Sequence, residues 1–489
     1  MLKPLQVRPA SLKYANLSFA VLLVCALNLS DSYNCVRLHE CTDFKTAAKD
    51  AGTSKLRRLQ KNFNATEIKI AKQMLSSSLI LFSTFTELHK FSDETIKRSE
   101  IQSRIKFVIV DEAGTVPEWQ AALLLMLPNI EKMMWIGDTK QLPPFSSNPL
   151  DKWARPSLGF LERVQEQFAR AKISIPMLLR QFRMHEDIAQ LVSTAFYDKK
   201  LIFDRQKTSS EYTGLYWIDY DASQPTHEVH ECKSKSGNIV LRINKVPSHR
   251  ATAASTGMRS ESKVGNSFVN ATEIARIVEG LSLFSKRRIF DDKTVAVICF
   301  YKKQVVLLED TINNLEKVDL ELCQDLSAAC ASGKLRLQTV DASQGSEANI
   351  VILSGVRSNA EGDVGFLAKS TGEKRICVAI SRACQALFIV GDKDILASPS
   401  ARLAFGLLWN SSGSGKPTPK RQLKTLTSFS ELRSYVGAQR ACDDVLISEV
   451  YSGSALPPEG DTSEIPAGGG LQSETHKDSG DVDDGDFGF

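Results

Sequence analysis

The sequence predicts an α/β protein with two parallel sheets in one chain. Apolar runs of strand length alternate with stretches of helix length through the first third, and the alternation returns after Asn270. The chain is long enough for about two to three domains. Two strands also end in acids: VIVDEAG (Val108–Gly114) and WIGDTKQLPP (Trp135–Pro144) each carry carboxylates out of an apolar run.

In chain order, the apolar run Leu17–Leu29 follows Lys3, Arg8 and Lys13 as a secretory signal would. It is too short for a membrane span of about 20 residues and lacks a small-x-small cleavage site. It reads as a buried parallel strand, Ala20–Ala26, turning polar at Asn28. Leu79–Phe82, Phe107–Val110 and Met133–Ile136 follow as strands, with helices at Glu67–Leu75 and Glu118–Leu127. Leu178–Phe196 reads as one long amphipathic helix introduced by a loop. Residues 205–264 are polar, with weak strands at Gly214–Tyr220 and Asn238–Ile243 and a Ser/Thr/Ala-rich segment Ser248–Ser262; a small insertion with a mobile loop is expected there. Asn270-Ala-Thr-Glu273 is capping-box-like and opens the helix Glu273–Leu283. Strands at Val295–Phe300, Arg336–Thr339, Ile350–Ser354 and Ala386–Val390 make the second sheet. From Ser411 the chain turns Gly/Ser/Pro-rich, with a short helical island near Ser430–Tyr435, and beyond Ser452 it reads as disordered. The expected domains are 1–165, with a basic helical insertion near 34–76; 166–410, with the insertion at 205–264; and a linker and acidic tail, 411–489.

Composition is that of a soluble globular protein, 42% hydrophobic and 24% charged, and a net charge of +4 is too small to name a partner. Local charge says more: Lys49–Lys106 is rich in Lys and Arg, compatible with a phosphate-backbone track or a solvated helix face. The ten cysteines include no Cys-x-x-Cys, which fits free thiols in a reducing compartment. His227, His230 and Cys232 lack a fourth ligand for zinc.

The acids carry chemistry. Asp111 has the position of a hard magnesium ligand, and Glu112 beside it can orient and deprotonate a water. The layout repeats at Gly137-Asp138, where Gln141 can hydrogen-bond both a γ-phosphate and its attacking water. In LLRQFRMHEDI (Leu178–Ile188), Arg183 could meet charge developing on phosphate and Phe182 could stack on a base, although from the residues alone a surface Arg beside a core Phe is the better reading. In TVDASQGSEANIVIL (Thr339–Leu353), Gly345 permits a tight path and Glu347 suits a ribose hydroxyl. KRICVAISRA (Lys374–Ala383) is expected to put Arg382 at the start of a helix, facing an anion.

In this order the motifs VIVDEAG, GDTKQLPP, RQFRMH, VDASQGSE and VAISRA resemble superfamily 1 (subgroup B) helicases of the up-frameshift/senataxin type, from about Ala20 to Trp409. The resemblance implies two RecA-like, parallel-sheet P-loop NTPase lobes, the first incomplete at its N-terminus. It implies ATP and Mg2+ as cofactors and single-stranded RNA or DNA as partner, with 5′ to 3′ polarity. It assigns Asp111 to magnesium, Glu112 to the catalytic base, and Gln141 and Arg183 to the γ-phosphate, with Asp138 and Gly345 in the nucleotide-binding motifs. Phe182 would stack on adenine, Glu347 would bind ribose, and Arg382 would be a second arginine finger. Val295–Gln304 resembles a further strand motif. Thr84, Thr339 and Asn28 fall where the family touches nucleic acid, and the tail would serve protein partners. A nuclear or cytoplasmic location without membrane contact is expected.

Three departures stand out. Leu27-Asn28-Leu29 replaces the polar residues expected there, and Cys377 replaces an Asn. The Gly-x4-Gly-Lys-Ser/Thr phosphate loop should lie just upstream of Leu17, yet Met1–Asn16 contains no glycine. Ser411–Pro417 (SSGSGKP) has Asn410 and Pro417 where a glycine and a magnesium-binding hydroxyl are needed, so it reads as linker. Three readings follow: an ATP-driven translocase, a catalytically inactive helicase-derived nucleic-acid-binding or scaffold protein, or a motor whose loop lies upstream of Met1.

Overall fold

The computed structural model describes residues 21–25, 35–37, 80–85, 104–125, 127–145, 159–203, 212–220, 227–233, 239–245, 260–396, 405–410, 418–419 and 423–432. The chain divides into two compact units, Met1–Leu178 and Leu179–Phe489. Asn28, the expected helix Glu67–Leu75, most of the basic stretch and the end of the tail lie outside the described residues.

The first unit holds a five-stranded sheet in the order β2-β3-β1-β4-β5. Its strands are β1 (Val21–Cys25), β2 (Cys35–Arg37), β3 (Ile80–Ser83), β4 (Ile105–Val110) and β5 (Lys132–Trp135). Strands β2–β3 and β4–β5 pair in parallel. The expected direction of β1 is corrected: it lies between β3 and β4 and runs antiparallel to both. A continuous apolar run reports a place inside a sheet, and hydrophobicity carries no information about direction. The strand at Cys35–Arg37 likewise stands where a helical insertion was expected to begin. Because β3 and β4 share a direction, Ser83 and Val110 both lie level with Val21, at one sheet edge. Ile105, Val108 and Val110 anchor the core with Ala121 and Leu124 of helix α1 (Glu118–Leu125). Helix α2 (Phe160–Arg170) buries Leu161, and its Phe160 ring meets Trp135 at 4.5 Å between centroids.

In the second unit, only the last part of the expected helix Leu178–Phe196 is helical, as α3 (Glu186–Phe196). The Gln181 side chain accepts the Arg183 and Met184 N–H groups and donates to the Met184 carbonyl. His185 then caps α3 by accepting from the Asp187 N–H. These local bonds compete with the helical ladder and delay its start.

A six-stranded sheet follows, β12-β11-β13-β14-β6-β17, parallel throughout. Its members are β6 (Gly214–Ile218), β11 (Val295–Cys299), β12 (Leu335–Thr339), β13 (Ala348–Ser354), β14 (Ala383–Val390) and β17 (Leu423–Leu426). Strands β7 (His227–Lys233) with β8 (Ile239–Lys245), and β9 (Glu261–Val264) with β10 (Ser267–Asn270), form hairpins, and β15 (Trp409–Asn410) pairs with β16 (Thr418–Pro419). The helices are α4 (Ala271–Lys286), α5 (Ile289–Asp292), α6 (Lys302–Asn314), α7 (Leu320–Ala331), α8 (Val340–Ser343), α9 (Ser370–Ile380) and α10 (Lys393–Leu396).

Two expectations change here. Gly214–Ile218 belongs to the sheet, every residue buried, rather than to an insertion. Part of the expected linker and tail, 423–432, supplies edge strand β17 and buries Leu426, Phe429 and Leu432. Phe429 packs on Phe388 at 5.3 Å, and Gly280 on α4 has no Cβ because one would sit 2.9 Å from that ring. Thr339, Cys299, Ser354, Val390, Ile218 and Leu426 align across the carboxyl-terminal edge. Among the described residues no helix is long and apolar enough to cross a membrane.

Candidate nucleotide and nucleic-acid sites

In the first unit, β4 delivers Asp111 and Glu112 to the carboxyl-terminal edge, where open α/β sheets bind ligands. Glu112 adopts a left-handed backbone, φ 51°, uncommon away from glycine. Its N–H donates to Asp111 Oδ1 at 2.9 Å, and its carbonyl accepts the Thr115 hydroxyl at 2.7 Å. One Asp111 oxygen is thereby fixed and the residue stays exposed, a donor set suited to a water-bridged magnesium ion.

The second acidic turn is locked against the first. Ala113 N–H donates to the Ile136 carbonyl at 2.9 Å. A Cβ on Gly114 would lie 2.5 Å from the Asp138 carbonyl oxygen, and one on Gly137 would lie 2.5 Å from Gly114 N. Two bare backbones therefore touch, and Asp138 is held beside the Asp111–Gly114 turn. Asp138 in turn aims Gln141: Oδ2 accepts Gln141 Nε2 at 3.0 Å, and Oδ1 accepts the Lys140 N–H at 2.9 Å. Asp138 thus acts through Gln141. Asp111, Glu112, Asp138 and Gln141 form one cluster; Thr84, half-buried, begins one residue beyond β3 on the same sheet edge.

In the second unit, the nucleotide candidates gather at the amino-terminal edge of the sheet. Glu347 precedes β13 and Arg382 precedes β14, whose first residues Ala348 and Ala383 pair. Arg183 Nε donates to Glu347 Oε2 at 2.6 Å. Arg336, not singled out in the sequence, donates through Nη2 to the Glu347 carbonyl, and its Nε is buried without a partner. A single Arg inside an alternating strand gives no periodic signal, so only tertiary packing reveals it. Cys384 feels all four charges; burial, then the Glu347 carboxylate, push its thiol up to about 11 against the three guanidiniums. Phe182 is 75% exposed. Gly345 has φ 75° with nothing near a Cβ, so its role is backbone conformation.

Arg382 requires a correction. The run Lys374–Ile380 is the end of α9, so Arg382 follows a helix C-terminus instead of opening a helix. It is buried, donating to the Val378 carbonyl, the Ser346 carbonyl and Ser381 Oγ, each at 3.0 Å. In this conformation it ties α9 to the loop before Glu347. Cys377, which stands where the resembled family has an Asn, sits in α9 with its Sγ 3.5 Å from Tyr197 Oη.

Thr339 stands apart from this cluster, at the opposite edge, where its hydroxyl caps α8 by accepting the Ala342 N–H. Asp341 on α8 takes a bidentate pair from Arg375 of α9, at 3.0 and 2.9 Å. Alpha-9 is therefore fastened toward Thr339 through Arg375 and toward Glu347 through Arg382.

Residues 35–148 and 158–394 each match a family model described as an AAA domain. The chain is 27% identical over 299 residues to the DNA replication ATP-dependent helicase/nuclease dna2 of Schizosaccharomyces pombe, covering 60% of this chain and 19% of that protein. It is 27% identical over 301 residues to the probable helicase senataxin of Homo sapiens, covering 58% and 9%. With the DNA polymerase alpha-associated DNA helicase A of Saccharomyces cerevisiae it shares 26% over 352 residues, covering 70% and 46%. The chain spans less than half the length of each of these relatives. The two AAA-domain matches and the helicase-named relatives make this α/β chain a helicase-type protein. The chain belongs to the superfamily 1 helicases of the senataxin/up-frameshift type.

Proposed function

We propose that this chain works as an ATP-dependent translocase on single-stranded RNA or DNA. The observation that supports this best is the interlocked Asp111-Glu112 and Asp138–Gln141 cluster, since a dead scaffold has no physical need for Asp138 to aim Gln141. In this reading Asp111 holds Mg2+, which when bound with ATP offsets charge building on the transferred phosphoryl group. Glu112 takes the proton of the attacking water, Gln141 orients that water and Arg183 meets the γ-phosphate; Arg382 would join it only by leaving the Val378 and Ser346 carbonyls. Phe182 and Glu347 hold adenine and ribose. Thr84, Thr339 and Asn28 grip the strand backbone, largely without reading sequence. The location would be nuclear or cytoplasmic, with protein partners at the tail.

A second reading, strand binding without hydrolysis, is favoured by one fact: no Gly-x4-Gly-Lys-Ser/Thr loop occurs among the 489 residues. Both readings predict salt-sensitive binding of a fluorescent single-stranded oligonucleotide. ATP turnover separates them: stimulation by the oligonucleotide, lost in Glu112→Gln, supports the motor, and its absence supports the binding protein.

A further inference from the structure

The β13–α9 crossover of the second unit begins in strain. Val356, a fully buried β-branched residue, has φ 66°, in the left-handed region that favours glycine. Such a backbone persists only where its surroundings over-determine it. Here the holding group is Glu273, on the first turn of α4 and fully buried. Both carboxyl oxygens accept the Val356 N–H, at 3.0 and 2.9 Å.

Two relays converge on the same carboxyl group. Gln304 Nε2 donates to Ser354 Oγ at 3.1 Å, and Ser354 donates to Glu273 Oε2 at 2.6 Å. Asn270 Nδ2 donates to Tyr220 Oη at 2.9 Å, and Tyr220 donates to Glu273 Oε1 at 3.0 Å. Asn270 also donates to the Val356 carbonyl at 3.1 Å, so both faces of the strained residue are held. The capping box is therefore only half made: Asn270 Oδ1 accepts the Glu273 N–H, but the Asn270 N–H goes to Gln304 Oε1. That leaves the Glu273 side chain for Val356.

Downstream of Val356 the chain stays pinned. Arg357 pairs with Glu261 and Asp363, Ser358 Oγ donates to Asp392, and α9 then carries Arg375 and leads out to Arg382. We propose that Glu273 is a positioning residue: it holds the left-handed turn at Val356 and so sets the root of the crossover that presents Arg375 and Arg382. The consequence for strand and nucleotide contact rests on the translocase reading; the hold on Val356 does not.

The test is a double-mutant cycle on the full 489-residue chain, read by hydrogen exchange. Glu273→Gln should speed exchange across residues 355–359 by about tenfold, with β14 unchanged. Val356→Gly accepts the left-handed turn without support, so in that background the same Glu273→Gln change should alter exchange by less than about threefold. Equal effects in both backgrounds, no effect at 355–359, or faster exchange throughout the second unit would overturn the assignment. Oligouridylate binding by the same samples reports on the other reading separately. If exchange follows the cycle while the wild-type chain binds no oligonucleotide, the translocase reading fails and the Glu273 assignment stands.

Discussion

Arg183 and Glu347 neutralise each other: the guanidinium Nε lies 2.6 Å from Oε2, with both side chains more than a third exposed. Exposed pairs contribute at most about 1 kcal/mol. On the translocase reading proposed above, an incoming nucleotide would separate them at little cost, freeing the arginine for phosphate and the carboxylate for ribose.

The two arginines should separate function from stability. Arg183→Ala is expected to leave the thermal midpoint nearly unchanged while lowering ATP-analogue affinity. Arg382→Ala removes the donors of two carbonyls and a hydroxyl in the interior and should cost roughly 2–5 kcal/mol. Chemical denaturation of both variants, beside a fluorescent-nucleotide titration, checks the contrast.

Gly137→Ala should unseat Gln141. The added methyl would meet backbone nitrogens of Gly114 and Ala113 at 2.5 and 2.7 Å, where no side-chain rotation gives relief. A loss of about 1–3 kcal/mol is expected, with nucleotide contacts impaired beyond it. If Gly137→Ala matched wild type in unfolding and nucleotide titration, the two acidic turns would not be interlocked.

Legibility followed signal length. The strands β4, β11 and β13 could be read directly, because four or more apolar residues in a row mark a buried strand, and the acids at Asp111-Glu112 because charges straight after such a run mark its exposed end. Strand β6 was read as a strand, Gly214–Tyr220, but its place in the sheet was missed because GLYWI sits in a polar neighbourhood that suggested an insertion. Strand β17 was missed because glycine and proline upstream dominated the composition. The motif gave Arg382 its identity but not its burial, since a helix end and a helix start differ by contacts that only folding creates. Arg336 and the hold of Glu273 on Val356 join residues far apart in the chain, which no local pattern records.

Phe429→Ala follows from the second of those misses. The ring is fully buried against Phe388 and Phe284, so the cavity should cost about 3–5 kcal/mol. Stability unchanged in a urea melt would show that 423–432 is not part of the second unit's core.

Burial pushes Glu273 up to about 8, against hydrogen bonds from Ser354, the Val356 N–H and Tyr220; Asp392 raises it further. The buried Tyr220 and Cys299 facing it are raised as well, first by burial and then by the Glu273 charge. Unfolded, this carboxyl titrates near 4.5, so the folded state binds the extra proton between 4.5 and about 8. Its contribution is full below the unfolded value and is lost as pH rises to about 8. Wild type should lose stability relative to Glu273→Gln between pH 5 and pH 8, by an amount on the order of a few kcal/mol. Parallel pH dependences in urea melts of the two proteins would contradict this.

The most direct measurement is ATP turnover by the purified chain with and without single-stranded RNA, beside Glu112→Gln. Slow turnover that rises with RNA and disappears in Glu112→Gln is the predicted result. RNA-independent turnover, or a rate shared by wild type and Glu112→Gln, would contradict it.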